Sequence, residues 1–366
     1  MKRVGFIGWR GMVGSVLMER MKAENDFSKM ESYFFSTSKG GEEAPAVTNG
    51  HPTVLSSIDL KELMKMDILV SCQGGEFTLE MHPALRNAGW KGFWIDAAST
   101  LRMNSDSVII LDPVNRDFVQ DSMSKGMKDF VGGNCTVSLM LIALHGLFKA
   151  NLIEWVSSMT YQAASGAGAK NMLELLAQME TVGKTFAANP ALGALEMEKE
   201  ANSLISSHQF PKTNFGHPLA LNILPWIDSE LPSGQSKEEW KAQVEANKIL
   251  QTQKVIPIDG TCVRVGALRC HSQALTIKLK KSVDLSTIES LIAEANPWVK
   301  LIPNNKAETL SKLTPAAVSG KLEIPIGRVR KMTLGDDYLN AFTCGDQLLW
   351  GAAEPLRCTL GMLIGK

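Results

Sequence analysis

The stretch RVGFIGWRGMVG, residues 3–14, decides the fold of this chain. Its apolar start predicts a short buried strand, and Gly8, Gly11 and Gly14 then follow in the spacing GxxGxxG. In a dinucleotide-binding turn the first glycine permits the tight turn, the second admits a pyrophosphate, and the third permits close contact between helix and strand. The N-terminus of the helix that follows faces the anion. A plain tight turn is the alternative, but a position between a strand and a helix favours nucleotide binding.

The end of the second predicted strand indicates which nucleotide binds. Sites for NAD usually have Asp or Glu there, which binds the ribose 2′-hydroxyl. This chain instead has Ser36, Thr37, Ser38 and Lys39, without a carboxylate. Hydroxyl groups and a cation suit a 2′-phosphate, and Arg10 offers a further bidentate contact. The sequence therefore favours NADP, with a simple polar turn as the alternative interpretation.

The order of predicted elements indicates two domains. Strands and helices alternate up to about residue 134, which predicts a Rossmann-type, doubly wound parallel α/β sheet. Longer strand-like runs follow at residues 153–165, 254–270 and 272–280. The length of 366 residues exceeds the usual size of one core. We therefore predict a nucleotide-binding domain at 1–133 and an α+β domain with a large mixed sheet at 134–349. The apolar C-terminal helix, 350–366, is expected to pack back onto the first domain.

The composition argues against several classes of protein. The net charge is zero, from 38 basic and 38 acidic residues, and basic runs are absent, so neither nucleic acid nor a membrane surface is an expected partner. Apolar segments are too short to span a membrane, and the glycine-rich start does not match a signal peptide. The six cysteines are scattered without CxxC pairs or zinc-site spacing. We expect reduced thiols, no metal site and a cytoplasmic protein.

A second glycine-bounded segment, GGNCTVSLM at 132–140, places a cysteine at the start of a predicted buried helix. Asn134 is a favoured N-cap residue, which puts Cys135 in the first helical turn. Unpaired N–H groups there favour an anion, so we expect the thiol pKa to lie below its usual value of about 8.5. The same N–H groups can stabilise an oxyanion. Most buried cysteines are inert, however, and the local residues support a catalytic and an inert Cys135 equally.

The residues that would assist a reactive thiol are also ambiguous when taken alone. His271 begins an alternating strand and points to an interior, either as a base or, more commonly, as a satisfied core histidine. Arg264 lies in an apolar strand and needs an anion, from the protein or from a substrate. Glu238 and Lys241 lie three apart on a predicted helix, where a solvated surface ion pair is the ordinary expectation.

Taken together, these segments resemble the aspartate-semialdehyde dehydrogenases of the Gram-negative bacterial type over nearly the whole chain. The segments that carry the resemblance include VGFIGWRGMVGSVLMERM, FFSTS, SCQGG, WIDAASTLRM, VGGNCTVSLM, TYQAASGAGAK, NILPWID, VRVGALRCHSQALTIKLKK and GDQLLWGAAEPLR. The resemblance implies NADPH-dependent reduction of L-4-aspartyl phosphate to L-aspartate 4-semialdehyde through a cysteine thioester. It places this reaction in the biosynthesis of lysine and diaminopimelate, threonine, methionine and isoleucine. It further implies a homodimer, with 134–349 as the catalytic and dimerisation domain.

The resemblance also implies roles for single residues. The implied catalytic residues are Cys135 as the acyl carrier, His271 as the acid/base, and Gln162. The implied substrate ligands are Arg264 for the carboxylate, Glu238 and Gln162. The implied phosphate ligands are Arg102, Asn134 and Lys241. The implied NADP contacts are Gly8, Arg10, Gly11, Met12, Val13, Thr37, Ser38, Gln73, Ser165, Gly166, Pro190 and Gln347. The stretches 39–52 and 190–212 resemble the family less clearly.

Two alternative functions stay open. Another cysteine-dependent acyl-phosphate reductase, such as N-acetylglutamyl-phosphate reductase or the glyceraldehyde-phosphate enzyme, would use the same ingredients. The residues around Cys135 and Gln162 favour the aspartyl enzyme over these. A non-catalytic NADP sensor on the same fold is the other alternative, and the presence of Arg264 and His271 argues against it.

Overall fold

The computed structural model describes residues 1–38 and 40–365, which form two seven-stranded sheets. Lys39, the cation of the predicted 2′-phosphate turn, lies outside the described residues. The last residue of the predicted C-terminal helix, Lys366, lies outside them as well.

The first part of the chain forms a parallel sheet. Its strands are β1 (Lys2–Ile7), β2 (Met30–Ser36), β3 (Leu55–Ser56), β4 (Ile68–Ser71), β5 (Phe93–Asp96), β6 (Ser107–Ile110) and β7 (Asp129–Gly132). The helices between them are α1 (Met12–Ala23), α2 (Leu60–Leu63), α3 (Gly75–Asn87) and α4 (Asp112–Ser124), with a 3₁₀ turn at Asp26–Lys29. All pairings are parallel, in the order β3-β2-β1-β4-β5-β7-β6. The predicted doubly wound sheet is confirmed.

The second part forms a mixed sheet. Its helices are α5 (Cys135–Lys149), α6 (Ala169–Ala188), α7 (Ala194–Ser206), α8 (Lys237–Leu250), α9 (Leu285–Ala293), α10 (Lys306–Lys312), α11 (Pro315–Val318) and α12 (Glu354–Ile364). Its strands are β8 (Ile153–Gln162), β9 (Ile258–Asp259), β10 (Cys262–Arg264), β11 (Cys270–Leu279), β12 (Val299–Leu301), β13 (Ile324–Met332) and β14 (Gly335–Asp346). The order is β10-β8-β11-β14-β13-β12, with β9 beside β8, and the central pairings are antiparallel. The predicted large mixed sheet is confirmed.

One predicted strand is wrong. The run at 254–270 contains only the short strands β9 and β10, separated and followed by loops. Gly260 lies so close to β8 that a Cβ there would be 1.9 Å from the carbonyl oxygen of Ser158. This close approach needs glycine between the two short strands, and a continuous strand does not form.

The C-terminal segment returns to the first sheet. After β14 a π-helical turn at Leu349–Ala353 leads into α12, and no helix in the described part of the chain is both long and apolar enough for a membrane span. Leu356 and Leu360 of α12 belong to the same buried cluster as Phe6 and Leu17. This contact is the one expected from the sequence, whereas the domain limits themselves stay predictions.

The two faces of the second sheet differ. Helix α5 packs on one face, and its apolar side chains form a single buried cluster with those of β8, β11, β13 and β14. On the opposite face Met159 and Tyr161 are each 39% exposed, and Trp155 lies edge-on to Tyr338. That face is open in the single chain.

Candidate active site

The glycine-rich turn has the geometry that the sequence predicts. Gly8 has φ +71°, and a Cβ on it would lie 2.5 Å from the carbonyl carbon of Cys72. A Cβ on Gly14 would lie 2.3 Å from the carbonyl oxygen of Gly8. The N–H of Gly11 donates to the same Gly8 oxygen at 3.0 Å. The turn therefore brings strand β1 and helix α1 together at a distance that only glycine allows.

Most of the residues predicted to contact the nucleotide line one of two cavities. A cavity of about 370 Å³ beside the turn is lined by Gly8, Arg10, Gly11, Thr37, Ser38 and Gln73, among others. A cavity of about 580 Å³ beside Cys135 is lined by Met12, Val13, Ser165, Gly166 and Gln347, among others. Pro190 lines neither cavity and is exposed beyond the end of α6, so its predicted contact stays a prediction.

Arg10 lies at the rim of the smaller cavity. Its guanidinium is 4.3 Å from the centre of the Trp9 ring and forms a 3.2 Å ion pair with Glu42. Both ion-pair partners are largely exposed. An incoming phosphate would therefore compete with Glu42 for an exposed and weakly held cation.

Cys135 and His271 meet at the larger cavity. The Sγ atom of Cys135 lies 3.2 Å from Nε2 of His271, which is completely buried at the start of β11. The backbone N–H of Ala163 donates to Nδ1 of the same imidazole at 2.9 Å. Because a backbone N–H can only donate, Nδ1 has no proton and Nε2 carries the proton of the neutral ring. The imidazole therefore points an N–H group at the sulfur.

The expected low pKa of Cys135 is wrong for this state of the protein. Burial raises the pKa of the thiol to about 12, and the carboxylate of Glu238 adds to the rise, although Arg264 and other cations oppose it. Burial also lowers the pKa of His271 to about 3, and Arg264 acts in the same direction. The effect of desolvation on the pKa of the thiol is thus larger than the effect of the helix N-terminus. In the protein without ligands, a neutral thiol lies beside a neutral imidazole.

Asn134 has the capping role that the sequence predicts. Its Oδ1 accepts hydrogen bonds from the N–H groups of Thr136 at 3.0 Å and Val137 at 3.2 Å. Its Nδ2 donates to Glu238 at 2.9 Å. The cap engages two N–H groups that were expected to be available to an oxyanion. Among the N–H groups of this first helical turn that were expected to bind an oxyanion, the Asn134 cap leaves the backbone N–H of Cys135 unengaged.

The ion pair of Glu238 and Lys241 exists, but the expectation that it is solvated is wrong. The pair is 3.0 Å long and both side chains are largely buried at the larger cavity. Glu238 also accepts a hydrogen bond from Gln162, and Lys241 also pairs with Asp228 at 2.7 Å. Burial acts to raise the pKa of Glu238, but Lys241 and the hydrogen-bond donors lower it overall. The carboxylate is therefore held in its charged form.

Arg264 is a buried cation without a carboxylate partner in the described part of the chain. It is 6% exposed, and its Nη1 donates to the carbonyl oxygen of Ala163 at 2.8 Å. Burial lowers the pKa of its guanidinium. A Cβ on Gly166 would lie 2.8 Å from this Nη1 and 3.0 Å from Cε1 of His271. The rest of the guanidinium faces the cavity, where it can meet an external anion.

Sequence reasoning missed Glu245. Its Oε1 lies 3.1 Å from Nη1 of Arg102, and its Oε2 accepts the backbone N–H of Asn134 at 2.7 Å. The signal was present, because Glu238, Lys241 and Glu245 recur at i, i+3 and i+7 and so share one face of α8. Clusters of three or more potential metal ligands are absent from the residues that the structure describes.

The chain matches family models and solved structures over most of its length. The family model described as semialdehyde dehydrogenase, NAD binding domain, matches residues 3–122, and the corresponding dimerisation-domain model matches residues 144–350. The solved aspartate semialdehyde dehydrogenase from Francisella tularensis is 52% identical, with 99% of this chain and 100% of that chain covered and a TM-score of 0.97.

More distant structures share the fold alone. Aspartate semialdehyde dehydrogenase II from Vibrio cholerae is 23% identical, with 100% of this chain and 99% of that chain covered and a TM-score of 0.79. The enzyme from Candida albicans, solved with NADP, is 16% identical, with coverage of 100% and 99% and a TM-score of 0.64.

Proposed function

Since the chain belongs to the semialdehyde dehydrogenase family, we propose that it reduces L-4-aspartyl phosphate to L-aspartate 4-semialdehyde with NADPH and releases phosphate. One observation carries the proposal. Cys135 and His271 are in contact beside a cavity that is also lined by Arg264, a cation without a carboxylate partner among the described residues. The name of the Francisella tularensis relative supports the choice of substrate.

The charges of the cavity suit the two ends of this substrate. Arg264 is the natural partner of the carboxylate, because its planar fork matches that anion. Arg102 and Lys241, which line the same cavity, are the phosphate ligands. Glu238 stays ionised and is suited to the substrate ammonium group, and Gln162 hydrogen-bonds to Glu238 and thereby borders the same space.

The acyl-transfer step belongs to Cys135. Its sulfur attacks the acyl carbon, the carbon–oxygen bond to phosphate breaks, and a thioester forms. Because Nε2 of His271 already holds a proton, the thiol proton passes to solvent or to the substrate phosphate before the attack. The Cys135 N–H, left free by the Asn134 cap, is a donor for the developing oxyanion.

His271 acts as a fixed donor in the second half of the reaction. NADPH, when bound, supplies the hydride that reduces the acyl carbon. The carbon–sulfur bond of the resulting thiohemiacetal oxyanion then breaks, and the Nε2–H of His271 stabilises the departing thiolate. Ala163 holds the imidazole in the tautomer that this role requires. The imidazole keeps its Nε2 proton, because losing it would leave an imidazolate, and the thiolate regains a proton from solvent as the product leaves. The acid/base role that the resemblance implies for His271 stays a prediction.

Several features favour NADP as the cofactor. Gly8 and Gly14 form a turn that side chains would block, and Thr37 and Ser38 place exposed hydroxyl groups at the end of β2. A carboxylate at that strand end, which NAD sites usually have, is absent from the sequence. We place the reaction in the biosynthesis of lysine and diaminopimelate, threonine, methionine and isoleucine. Six free cysteines support a cytoplasmic location.

The open face of the second sheet supports a homodimer. Met159 and Tyr161 are partly exposed apolar side chains on that face, within the region matched by the dimerisation-domain model. Monomeric proteins rarely leave such apolar sheet surface uncovered. Analytical ultracentrifugation should find a dimer, and Tyr161→Asp should shift it toward monomer; a monomeric parent protein would refute this arrangement.

The decisive assay is phosphate-dependent formation of NADPH from aspartate semialdehyde, with NAD as a parallel cofactor. Turnover of N-acetylglutamyl phosphate without aspartyl phosphate would refute the substrate, and strict use of NAD would refute the cofactor. Cys135→Ala should abolish turnover and leave NADPH affinity nearly unchanged. If that variant stays active, the thioester route is wrong, and if the parent binds NADPH without turnover, the sensor alternative is right.

A further inference from the structure

We infer that Glu245 is a positioning residue that orients the phosphate-binding side of the site through Arg102 and Asn134. This inference rests on the proposed function, in which Arg102 is a phosphate ligand, and on the phosphate role that the resemblance implies for Asn134. Glu245 lies on α8, is 2% exposed and does not line the cavity. It touches no substrate and acts only through the groups that it holds.

The two oxygens of Glu245 have separate partners. Oε1 pairs with the Arg102 guanidinium, and Oε2 accepts the N–H of Asn134. Arg102 in turn donates from Nε to the carbonyl oxygen of Gly132 at 2.6 Å and from Nη2 to that of Gly133 at 3.0 Å. One carboxylate and one guanidinium therefore hold three successive residues, and the next residue in the chain is the nucleophile Cys135.

The same helix also fixes the backbone of Arg102. Lys248, one turn beyond Glu245 on α8, donates from Nζ to the carbonyl oxygens of Arg102 and Asn104, each at 2.6 Å. The side chain and the main chain of Arg102 are thus both attached to α8. Glu238 and Lys241, two further charged residues that line the cavity, lie on the same helix.

Only a carboxylate satisfies both partners of Glu245. The Arg102 guanidinium is buried and needs a counter-charge, while the Asn134 N–H is buried and needs an acceptor. A glutamine amide has one oxygen and one donor group, so it can accept from one partner and must present N–H to the other. Glu245→Gln therefore keeps the shape of the side chain and loosens Arg102, Asn134, or both.

The expected kinetic signature is specific to phosphate. In the direction that consumes semialdehyde, Glu245→Gln should raise the KM for inorganic phosphate about 10- to 100-fold, because such supporting contacts carry effects of that size. The KM values for aspartate semialdehyde and NADP should stay within about twofold of the parent. In the double variant Arg102→Leu/Glu245→Gln, the second substitution should raise the phosphate KM by less than it does alone, because part of its effect acts through Arg102.

Glu239 provides a matched control on the same helix. It is also buried, and its carboxylate accepts the N–H groups of Ser236 at 2.7 Å and Cys262 at 3.1 Å. Glu239→Gln removes an equivalent buried charge away from Arg102. It should lower the melting temperature without a selective change in the phosphate KM.

A second readout does not depend on turnover. Inorganic phosphate should protect Cys135 from iodoacetamide, and the concentration needed for half protection should rise in Glu245→Gln by about the same factor as the KM. Glu245→Asp keeps the charge but shortens the side chain, so its half-protecting phosphate concentration should lie between those of the parent and Glu245→Gln. This variant replaces Glu245→Gln in the test if the glutamine variant does not fold. Unchanged phosphate KM and unchanged protection, or additive effects in the double variant, would overturn the inference. A parent protein without phosphate-dependent turnover would instead refute the proposed function.

Discussion

Replacing Arg264 by leucine should remove substrate recognition at almost no cost in stability. Arg264 is 6% exposed in the folded protein, and its guanidinium has one hydrogen bond, to Ala163, and no carboxylate partner among the described residues. Leucine avoids the desolvation of that cation but removes one of two hydrogen bonds to the Ala163 carbonyl oxygen, which still accepts the N–H of Gly166 at 3.1 Å. The lost bond costs at most about 1–3 kcal/mol. Because the two effects oppose each other, the melting temperature should change by no more than about 3 °C.

The effect on activity should be much larger. A bidentate contact with the substrate carboxylate makes two charge-assisted hydrogen bonds, each worth about 1.5–3 kcal/mol. Losing both amounts to about 3–6 kcal/mol, or a fall of about 10²- to 10⁴-fold in kcat/KM for aspartate semialdehyde. The NADP affinity should change much less, because Arg264 does not line the cavity beside the glycine-rich turn, where the other predicted nucleotide contacts lie.

Three measurements check this prediction. NADPH absorbance gives kcat/KM, fluorescence titration gives the NADP affinity, and calorimetry gives the melting temperature. Arg264→Lys keeps the charge without the planar fork and should lose less activity than leucine does. An aldehyde without the α-carboxylate should be turned over equally poorly by the parent and by Arg264→Leu. Retention of kcat/KM within about tenfold, or a loss accompanied by a melting temperature lowered by more than about 10 °C, would refute the reasoning.

Three further outcomes are expected. Gly166→Ala should lower kcat/KM by about tenfold or more, because its Cβ would collide with Arg264 and His271, whereas Gly183→Ala, with no atom within 4 Å of the new Cβ, should be neutral. Alkylation of Cys135 by iodoacetamide in the ligand-free protein, followed by mass spectrometry, should rise steadily between pH 7 and 10, because the pKa of the thiol is about 12; a plateau near pH 7 would contradict this. His271 has a folded-state pKa of about 3 against an ordinary 6.5, so its stabilising contribution is present above pH 6.5 and lost as the pH falls toward 3. Denaturant unfolding should therefore show that His271→Gln loses less stability than the parent over that interval, and equal losses would count against a buried neutral imidazole.

The sequence predicted the parts of the fold that depend on local geometry. Gly14 is needed because its Cβ would collide with Gly8 and Trp9, which are close in the chain, so the glycine spacing was informative. The helix start at Cys135 was equally local, because Asn134 caps it with its own side chain. The break in the run 254–270 was not predictable in this way. It depends on the approach of Gly260 to Ser158, about a hundred residues away in the chain.

The errors at the site have one physical cause, which is burial by distant parts of the chain. A helix N-terminus lowers a thiol pKa locally, but the residues that bury Cys135 come from β8, β11 and the π-helical turn. In that turn a Cβ on Gly351 would lie 2.8 Å from the Cβ of Cys135. The same holds for Glu238 and Lys241, whose spacing is typical of a surface pair. Because Glu238 contacts Asn134 and Gln162, which lie far away in the sequence, the pair is buried and lines the cavity.

The distribution of charge suggests why phosphate leaves while the aspartyl group stays. Arg102 is paired with Glu245, and Lys241 with Asp228 and Glu238, so phosphate can bind only in competition with protein carboxylates. Once the acyl–oxygen bond breaks, those carboxylates re-form their ion pairs and favour release of the anion. Arg264 has no ion-pair partner among the described residues, so in the proposed function it would hold the substrate carboxylate without such exchange. Asp228→Asn removes one competitor for Lys241, so it should lower the KM for phosphate and slow phosphate release in a pre-steady-state burst assay; faster release would show that the carboxylates do not assist departure.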